Sequence, residues 1–141
     1  MGGIVRRATA QDLDFVSELG AEFYDMSPWN GHIDLNADDL RGFLSNLIGG
    51  AGVIFINDNS MCGGMLTPLY FNHSAVVSVE LFWFSRGEGG DVRKAFEAWS
   101  VDSGAQLIQM TCLANEKEAG MRRLFRTGGY HPKEIALFKD L

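Results

Sequence analysis

Residues 76–113 read as a strand, a glycine-rich turn, an amphipathic helix and a second strand, all within 38 residues. No hairpin can join two strands with a helix between them. The helix has to carry the chain back over the sheet, so 76–84 and 107–113 are predicted as parallel neighbours in one sheet. The turn is Arg86-Gly87-Glu88-Gly89-Gly90-Asp91, and the helix after it shows Val92, Ala95, Phe96 and Trp99 at helical spacing. Ser103-Gly104 ends it. This unit requires a sheet, and the rest of the chain supplies it.

Residues 4–8 read as a short edge strand. Thr9, with Asp12 three positions on, reads as the start of a helix whose stripe is Leu13, Val16, Gly20 and Phe23, ending near Asp25. Ser27-Pro28 and Asn30-Gly31 mark a loop. Asn36 is placed to cap a second helix, with Leu40, Phe43, Leu44, Leu47 and Ile48 on one face and Gly49-Gly50 at its end. Strands are predicted at 53–56 and 61–70 around the turn Asn57-Asp58-Asn59-Ser60, with a second turn at Asn72-His73-Ser74. Pro68 makes the middle strand irregular or exposed near its end. A helix at 116–126 carries Met121, Leu124 and Phe125 inward, Gly128-Gly129 stops it, and 130–139 reads as a last strand. The order β-α-α-β-β-β-α-β-α-β describes one α+β domain over 1–141, with a mixed sheet.

Composition excludes several classes. A net charge of −6 opposes nucleic-acid binding, which needs a basic footprint. Two cysteines, Cys62 and Cys112, make no disulfide framework, and no Cys/His cluster suggests a metal; both read as small buried hydrophobes. The start of the chain has no apolar run, and no stretch reaches the length of a membrane span. The expected setting is therefore the cytoplasm, away from membranes. Charge is uneven: residues 1–80 hold 3 basic and 10 acidic side chains, and residues 81–141 hold 9 basic and 8 acidic. Such a split suits either a solvated surface or separate steering of a cation and an anion.

The chain has 17 glycines, where average usage of about 7% would give about 10. A glycine-rich turn entering a helix presents bare N–H groups and the positive end of the dipole, which suits phosphate. By itself the pattern is equally that of a tight turn. It lacks the Gly-Lys-Ser/Thr ending of a nucleotide loop and the full G-x-G-x-x-G of a dinucleotide site.

Its context carries a resemblance. Ile4-Val5-Arg6-Arg7-Ala8-Thr9 with Asp12-Leu13, Met61-Cys62-Gly63-Gly64, Glu80-Leu81-Phe82-Trp83, Arg86-Gly87-Glu88-Gly89 and Leu124-Phe125 with Gly129-Tyr130 together resemble the GNAT (GCN5-related N-acetyltransferase) family over nearly the whole chain. With Phe96-Glu97-Ala98-Trp99 and the lysine-containing last strand, the combination is similar to small phage-type members. The resemblance implies a mostly antiparallel mixed sheet with helices on both faces. It also implies transfer of an acetyl group from acetyl-CoA to a small-molecule or peptide amine in a ternary complex, without a metal. The cofactor would lie where the fourth and fifth strands splay, its pyrophosphate on Arg86, Gly87, Glu88, Gly89, Gly90 and Asp91, its pantetheine arm along Phe82 and Trp83. Oligomeric state is left open, a homodimer included.

Acetyl transfer needs a base, and Glu80 is the candidate: in the apolar run Val79-Glu80-Leu81, burial would raise its pKa. The alternative is an exposed carboxylate on the polar face of the strand with Ser78. A backbone N–H near Phe82 or Trp83 would stabilise the developing oxyanion. Tyr24 and Trp29, in or beside the loop after the first helix, are the candidate acceptor-pocket residues, with ordinary packing as the alternative. Two departures from the family pattern stand out: Asp91 takes the place of the last small residue of the loop, and Phe125 takes that of the tyrosine that often protonates the leaving thiolate. Tyr130 and Cys112 are the nearby acids, and both read equally as packing. The departures support a second reading, a domain of this fold that binds CoA or a protein partner without chemistry.

Overall fold

The computed structural model describes residues 3–141; Met1 and Gly2, where the reading of the N-terminus begins, lie outside the described residues. The chain forms two compact units, Met1–Thr111 and Cys112–Leu141.

The first unit is built on a five-stranded sheet in the order β1-β2-β3-β4-β5. Its strands are β1 (Arg6–Arg7), β2 (Val53–Ile56), β3 (Ser60–Leu69), β4 (Asn72–Ser85) and β5 (Leu107–Gln109). The first four pair antiparallel, and β5 pairs parallel to β4, as the helical crossover requires. The helices are α1 (Leu13–Met26), α2 (Ala37–Asn46) and α3 (Gly90–Asp102).

Strand periodicity sorts the core into two layers. Ile54, Ile56, Met61 and Phe82 face α1 and α2, packing with Val16, Leu19, Leu44 and Leu47. Val53, Cys62 and Trp83, the alternate positions, face α3 with Val92 and Phe96. The predicted helices on both faces are thus present in this unit.

Caps fall where the residue types place them. The Asp12 carboxylate accepts from the Thr9 backbone N–H at 2.8 Å and takes a two-pronged bond from Arg6. These donors hold its carboxyl well below the usual carboxylate range. The Asn36 side chain accepts from the Asp39 N–H at 3.0 Å. The extension of α2 closes at Gly50, whose φ of 122° only glycine adopts freely.

Three expectations for this unit need correction. The second turn is Tyr70-Phe71 rather than 72–74, with both rings exposed. The polar run Asn72-His73-Ser74 begins β4 instead, where Asn72 bonds the Ser74 N–H. The buried face of α3 is Val92, Arg93, Phe96 and Ser100, rotated from the apolar stripe. Ser100 goes inside because its hydroxyl donates to the Phe96 carbonyl at 2.8 Å and so accepts from Ser78 at 2.6 Å, leaving no buried hydroxyl unmatched. β5 stops at Gln109 rather than 113.

The second unit holds α4 (Glu118–Thr127), with Phe125 buried and edge-on to Tyr130 at 5.4 Å; Leu124, predicted inward, is exposed. The predicted strand at 130–139 is not formed: those residues have no strand structure, and Ile135 and Leu137 are exposed. Alternating apolar residues supply one face of a strand, but a strand also needs a neighbour to bond its backbone. Pro68 behaves as predicted, exposed at a register shift near the end of β3.

Candidate active site

The site grows from one irregularity in the sheet. Gly63 pairs with Phe82 and Gly64 with Glu80, so Leu81 is an extra residue opposite that step, a β-bulge. The bulge resets the alternation of β4. Phe82 points to the α1–α2 layer, while Glu80, opposite Gly64, shares the α3 side with Ser78. No other residue type fits at the pivot. A Cβ on Gly64 would meet the Val79 carbonyl oxygen at 2.0 Å and the Phe96 ring at 2.8 Å; one on Gly63 would meet the Phe82 ring at 2.5 Å.

Glu80 is 4% exposed, which excludes the polar-face alternative. Burial pushes its carboxyl up to about 8, against a smaller downward pull from the Thr111 backbone N–H. The buried Cys62 thiol lies within range of the Glu80 charge, and burial first, then that charge, push it upward too. A carboxyl that titrates near neutrality is suited to taking a proton from an ammonium.

Beside Glu80 the sheet opens. Pairing of β4 with β5 ends at Val79 and Gln109, and β4 continues to Ser85 with β3 alone beside it. Among the described residues, no strand pairs with the outer edge of β4 beyond Val79. Such an edge is able to bond an extended ligand arm as a further strand would.

The turn after β4 is tied down from several sides. The Trp83 indole N–H donates to the Gly89 carbonyl at 2.8 Å, and the Arg86 N–H to the Asn59 carbonyl at 2.9 Å. The Gly87 N–H donates to the Ser85 hydroxyl at 2.9 Å. A Cβ at Gly89 would meet Ser85 at 2.8 Å and one at Gly87 would meet Asn59 at 3.0 Å, whereas Gly90 faces open space. Gly89 is therefore required by the protein's own packing, and Gly87 is tight against the end of the Asn59 side chain. Among the described residues, nothing accepts from the N–H groups of Glu88, Gly89, Gly90 and Asp91. Four successive free donors at the start of a 13-residue helix are complementary to an anion. The next donor, the Val92 N–H, is taken by Asp91 at 2.8 Å.

Two charged side chains of the loop turn elsewhere. The Arg86 guanidinium binds Glu18 and Glu22 of α1, which lowers the Glu22 carboxyl and raises the arginine further. Its side-chain charge is thus shared with α1, and its backbone belongs to the loop. Glu88 is exposed, and its carbonyl is held from below.

Tyr24 and Trp29 line a surface cavity of ≈ 320 Å³ together with Ile33, Asp34, Asp39 and Leu40. The Tyr24 hydroxyl donates to the Ile33 carbonyl at 2.6 Å and shapes that wall. Glu80, Trp83 and the turn thus gather on the α3 side, whereas Tyr24 and Trp29 belong to the α1–α2 side. α1 also meets the end of β4, where the Phe23 and Phe84 rings lie 6.0 Å apart. In the second unit, burial raises the Cys112 thiol, which lies 3.7 Å from the Glu118 carbonyl.

Sequence reasoning missed the residues that hold the turn. Asn57 and Ser60, read only as residues of a hairpin turn, are 4% and 0% exposed. It also missed Arg93, buried on α3 with its guanidinium 5.5 Å from the Trp83 ring centre and bonded to Glu97. A four-residue polar run gives no local sign of a partner about thirty positions away. Among the described residues, no three His, Cys, Asp or Glu side chains converge as metal ligands, and no helix is long and apolar enough to cross a membrane.

No protein-family model and no curated protein matches the sequence. Solved structures do match. AAC(6')-Iy in complex with the bisubstrate analog CoA-S-monomethyl-acetylneamine is 14% identical, with 96% of this chain and 95% of that one covered at a TM-score of 0.71. A predicted acetyltransferase with acetyl-CoA from Clostridium acetobutylicum is 14% identical over 96% and 94%, at 0.70. A transcriptional regulator from Bacillus halodurans C-125 is 16% identical over 98% and 99%, at 0.72. Identities this low speak to architecture alone: the chain shares its α+β fold with these solved structures.

Proposed function

We propose that this protein is an N-acetyltransferase that moves an acetyl group from acetyl-CoA to a small cationic amine. The observation that carries the proposal is the run of four free N–H donors from Glu88 to Asp91, next to the unpaired edge of β4 and the buried Glu80. These residues fit the ligand: the donors suit its pyrophosphate and the free strand edge suits its amide-containing arm. Two structures of similar fold, one with acetyl-CoA and one with a CoA bisubstrate analog, support the choice of ligand.

Acetyl-CoA supplies the activated acyl group. The chain's part is to position, to polarise and to move a proton. The loop and strand edge hold the thioester in line, and alignment of this kind is worth about 7–11 kcal/mol in favourable cases. A backbone N–H at Phe82 or Trp83, whichever faces the open edge, would polarise the acyl carbonyl. Glu80 receives the amine proton as the N–C bond forms and the C–S bond breaks. A CoA thiolate is stable enough to take its proton from water. Asp34 and Asp39 beside Tyr24 and Trp29 would attract a positively charged acceptor, from the α1–α2 side of the sheet and not the side that Glu80 faces.

A titration tests the first requirement. Acetyl-CoA is expected to change Trp83 fluorescence, because the indole touches both the strand edge and the Gly89 carbonyl, and to bind with micromolar affinity. A flat response at millimolar ligand, by fluorescence and by heat, would rule the proposal out. Binding without turnover of any amine would instead favour the ligand-binding reading, to which Phe125, a ring without a proton to give, lends support.

A further inference from the structure

The carboxylate of Asp91 sits at the entrance of a helix whose free donors are to receive a diphosphate, and the reason it is compatible with that role lies in the turn between β2 and β3. All four hydrogen-bonding positions of the Asn57 carboxamide are used. Its Oδ1 accepts from the Asn59 N–H at 3.0 Å and from the Ser60 hydroxyl at 2.6 Å. Its Nδ2 donates to the Glu88 carbonyl at 3.2 Å and to Asp91 Oδ1 at 2.8 Å. The orientation of the amide is fixed, since a backbone N–H lies on one side and a backbone carbonyl on the other. Asn57 is 4% exposed and is brought to the loop by a tertiary contact 31 positions away in sequence.

Two consequences follow. Holding the Glu88 carbonyl inward fixes the peptide between Glu88 and Gly89, whose N–H is one of the four free donors. Holding Asp91 Oδ1 sideways, shared with the Val92 N–H, ties its charge to a donor pair at the edge of the loop. We propose that Asn57 is the positioning residue of the anion loop: it sets the donors from Glu88 to Asp91 in their ligand-ready arrangement and holds the Asp91 carboxylate aside. The proposal rests on the reading that this loop takes the diphosphate of acetyl-CoA.

The test is a swap. Asn57→Asp keeps the size and both acceptor contacts of Asn57, but puts an acceptor where the Glu88 carbonyl and Asp91 need a donor. It is expected to raise the acetyl-CoA Kd about tenfold, the loss that follows when a buried acceptor of this kind goes unmet. Adding Asp91→Asn restores the contact at residue 91 with donor and acceptor exchanged, and leaves the Ser60 hydroxyl, 3.3 Å away, as the donor to the Glu88 carbonyl; the Kd is expected to come back to within about threefold of the unmodified chain. The indole N–H resonance of Trp83, which reports on the Gly89 carbonyl, should move in the single variant and return in the double one. A Kd unchanged in the single variant, or a loss that the double variant fails to restore, overturns the proposal. If Asn57→Asp does not fold, the double variant decides: near-normal affinity supports the swap and a tenfold loss refutes it. If the unmodified chain binds no acetyl-CoA, the acetyl-CoA reading fails, and the Trp83 resonance alone decides whether Asn57 sets the loop.

Discussion

Replacing Glu80 with Gln is expected to lower turnover about a hundredfold or more while leaving acetyl-CoA affinity unchanged and making the protein more stable. The catalytic part follows from removing the one carboxylate of this strand, placed to take the amine proton; general-base contributions run to about 10²–10⁴. The stability part follows from linkage. The folded-state pKa of Glu80 is raised to about 8 by burial, above its unfolded value. The group therefore binds its proton more tightly in the folded state, and the stability this gives is full below the unfolded pKa and lost as pH rises through 8. Glutamine is neutral throughout and escapes that loss. By pH 9 the variant should be more stable by roughly 2 kcal/mol, a figure that discounts the linkage for relaxation around the charge. If the proposed activity holds, the unmodified protein should show the opposite trend in rate, with kcat/KM rising towards pH 8 as the carboxylate forms. Parallel pH profiles of rate and of denaturant unfolding check both halves. A variant with undiminished rate, or one that is less stable than the parent at pH 9, would contradict the role assigned to Glu80.

Gly64→Ala is expected to destabilise the protein by about 3 kcal/mol or more, at the high end for a single methyl group. The added Cβ has no soft neighbour to displace. It would stand 2.0 Å from the Val79 carbonyl oxygen and 2.8 Å from the Phe96 ring, and Phe96 is wholly buried. Backbone and core both have to move, and the movement falls on the bulge that turns Glu80 towards α3. A smaller loss is expected at Gly90, which faces open space. Urea unfolding of the two variants side by side measures the contrast; equal midpoints would show that the bulge is not the fixed pivot described above.

The sequence was most readable where one periodicity governs a whole element. The apolar run 53–56 read correctly as a strand, and the 3.6-residue spacing found α1, α2 and α3. The parallel strand followed from the helix that separates the two strands. Misreadings share a cause. Ser100 and Arg93 are polar by type and buried by pairing, with Ser78 in one case and Glu97 and the Trp83 ring in the other. Asn57 and Ser60 look like turn residues because they are, and they also reach the loop across the fold. The segment 130–139 has the alternation of a strand without strand structure, so pattern alone was insufficient. Within the site, Glu80 and the glycine loop were legible, because an acid in an apolar strand and glycines before a helix are unusual locally. What supports them was not, because it depends on distant partners.

The most direct test of the central claim is thiol release from acetyl-CoA with a panel of amines, from polyamines and amino sugars to peptide N-termini and lysine, paired with mass analysis of the acceptor. The proposed function predicts stoichiometric release of CoA and a singly acetylated amine, fastest for small cationic acceptors and strongly reduced by Glu80→Gln. Absence of an acetylated product with every amine, in protein that binds acetyl-CoA, would contradict it.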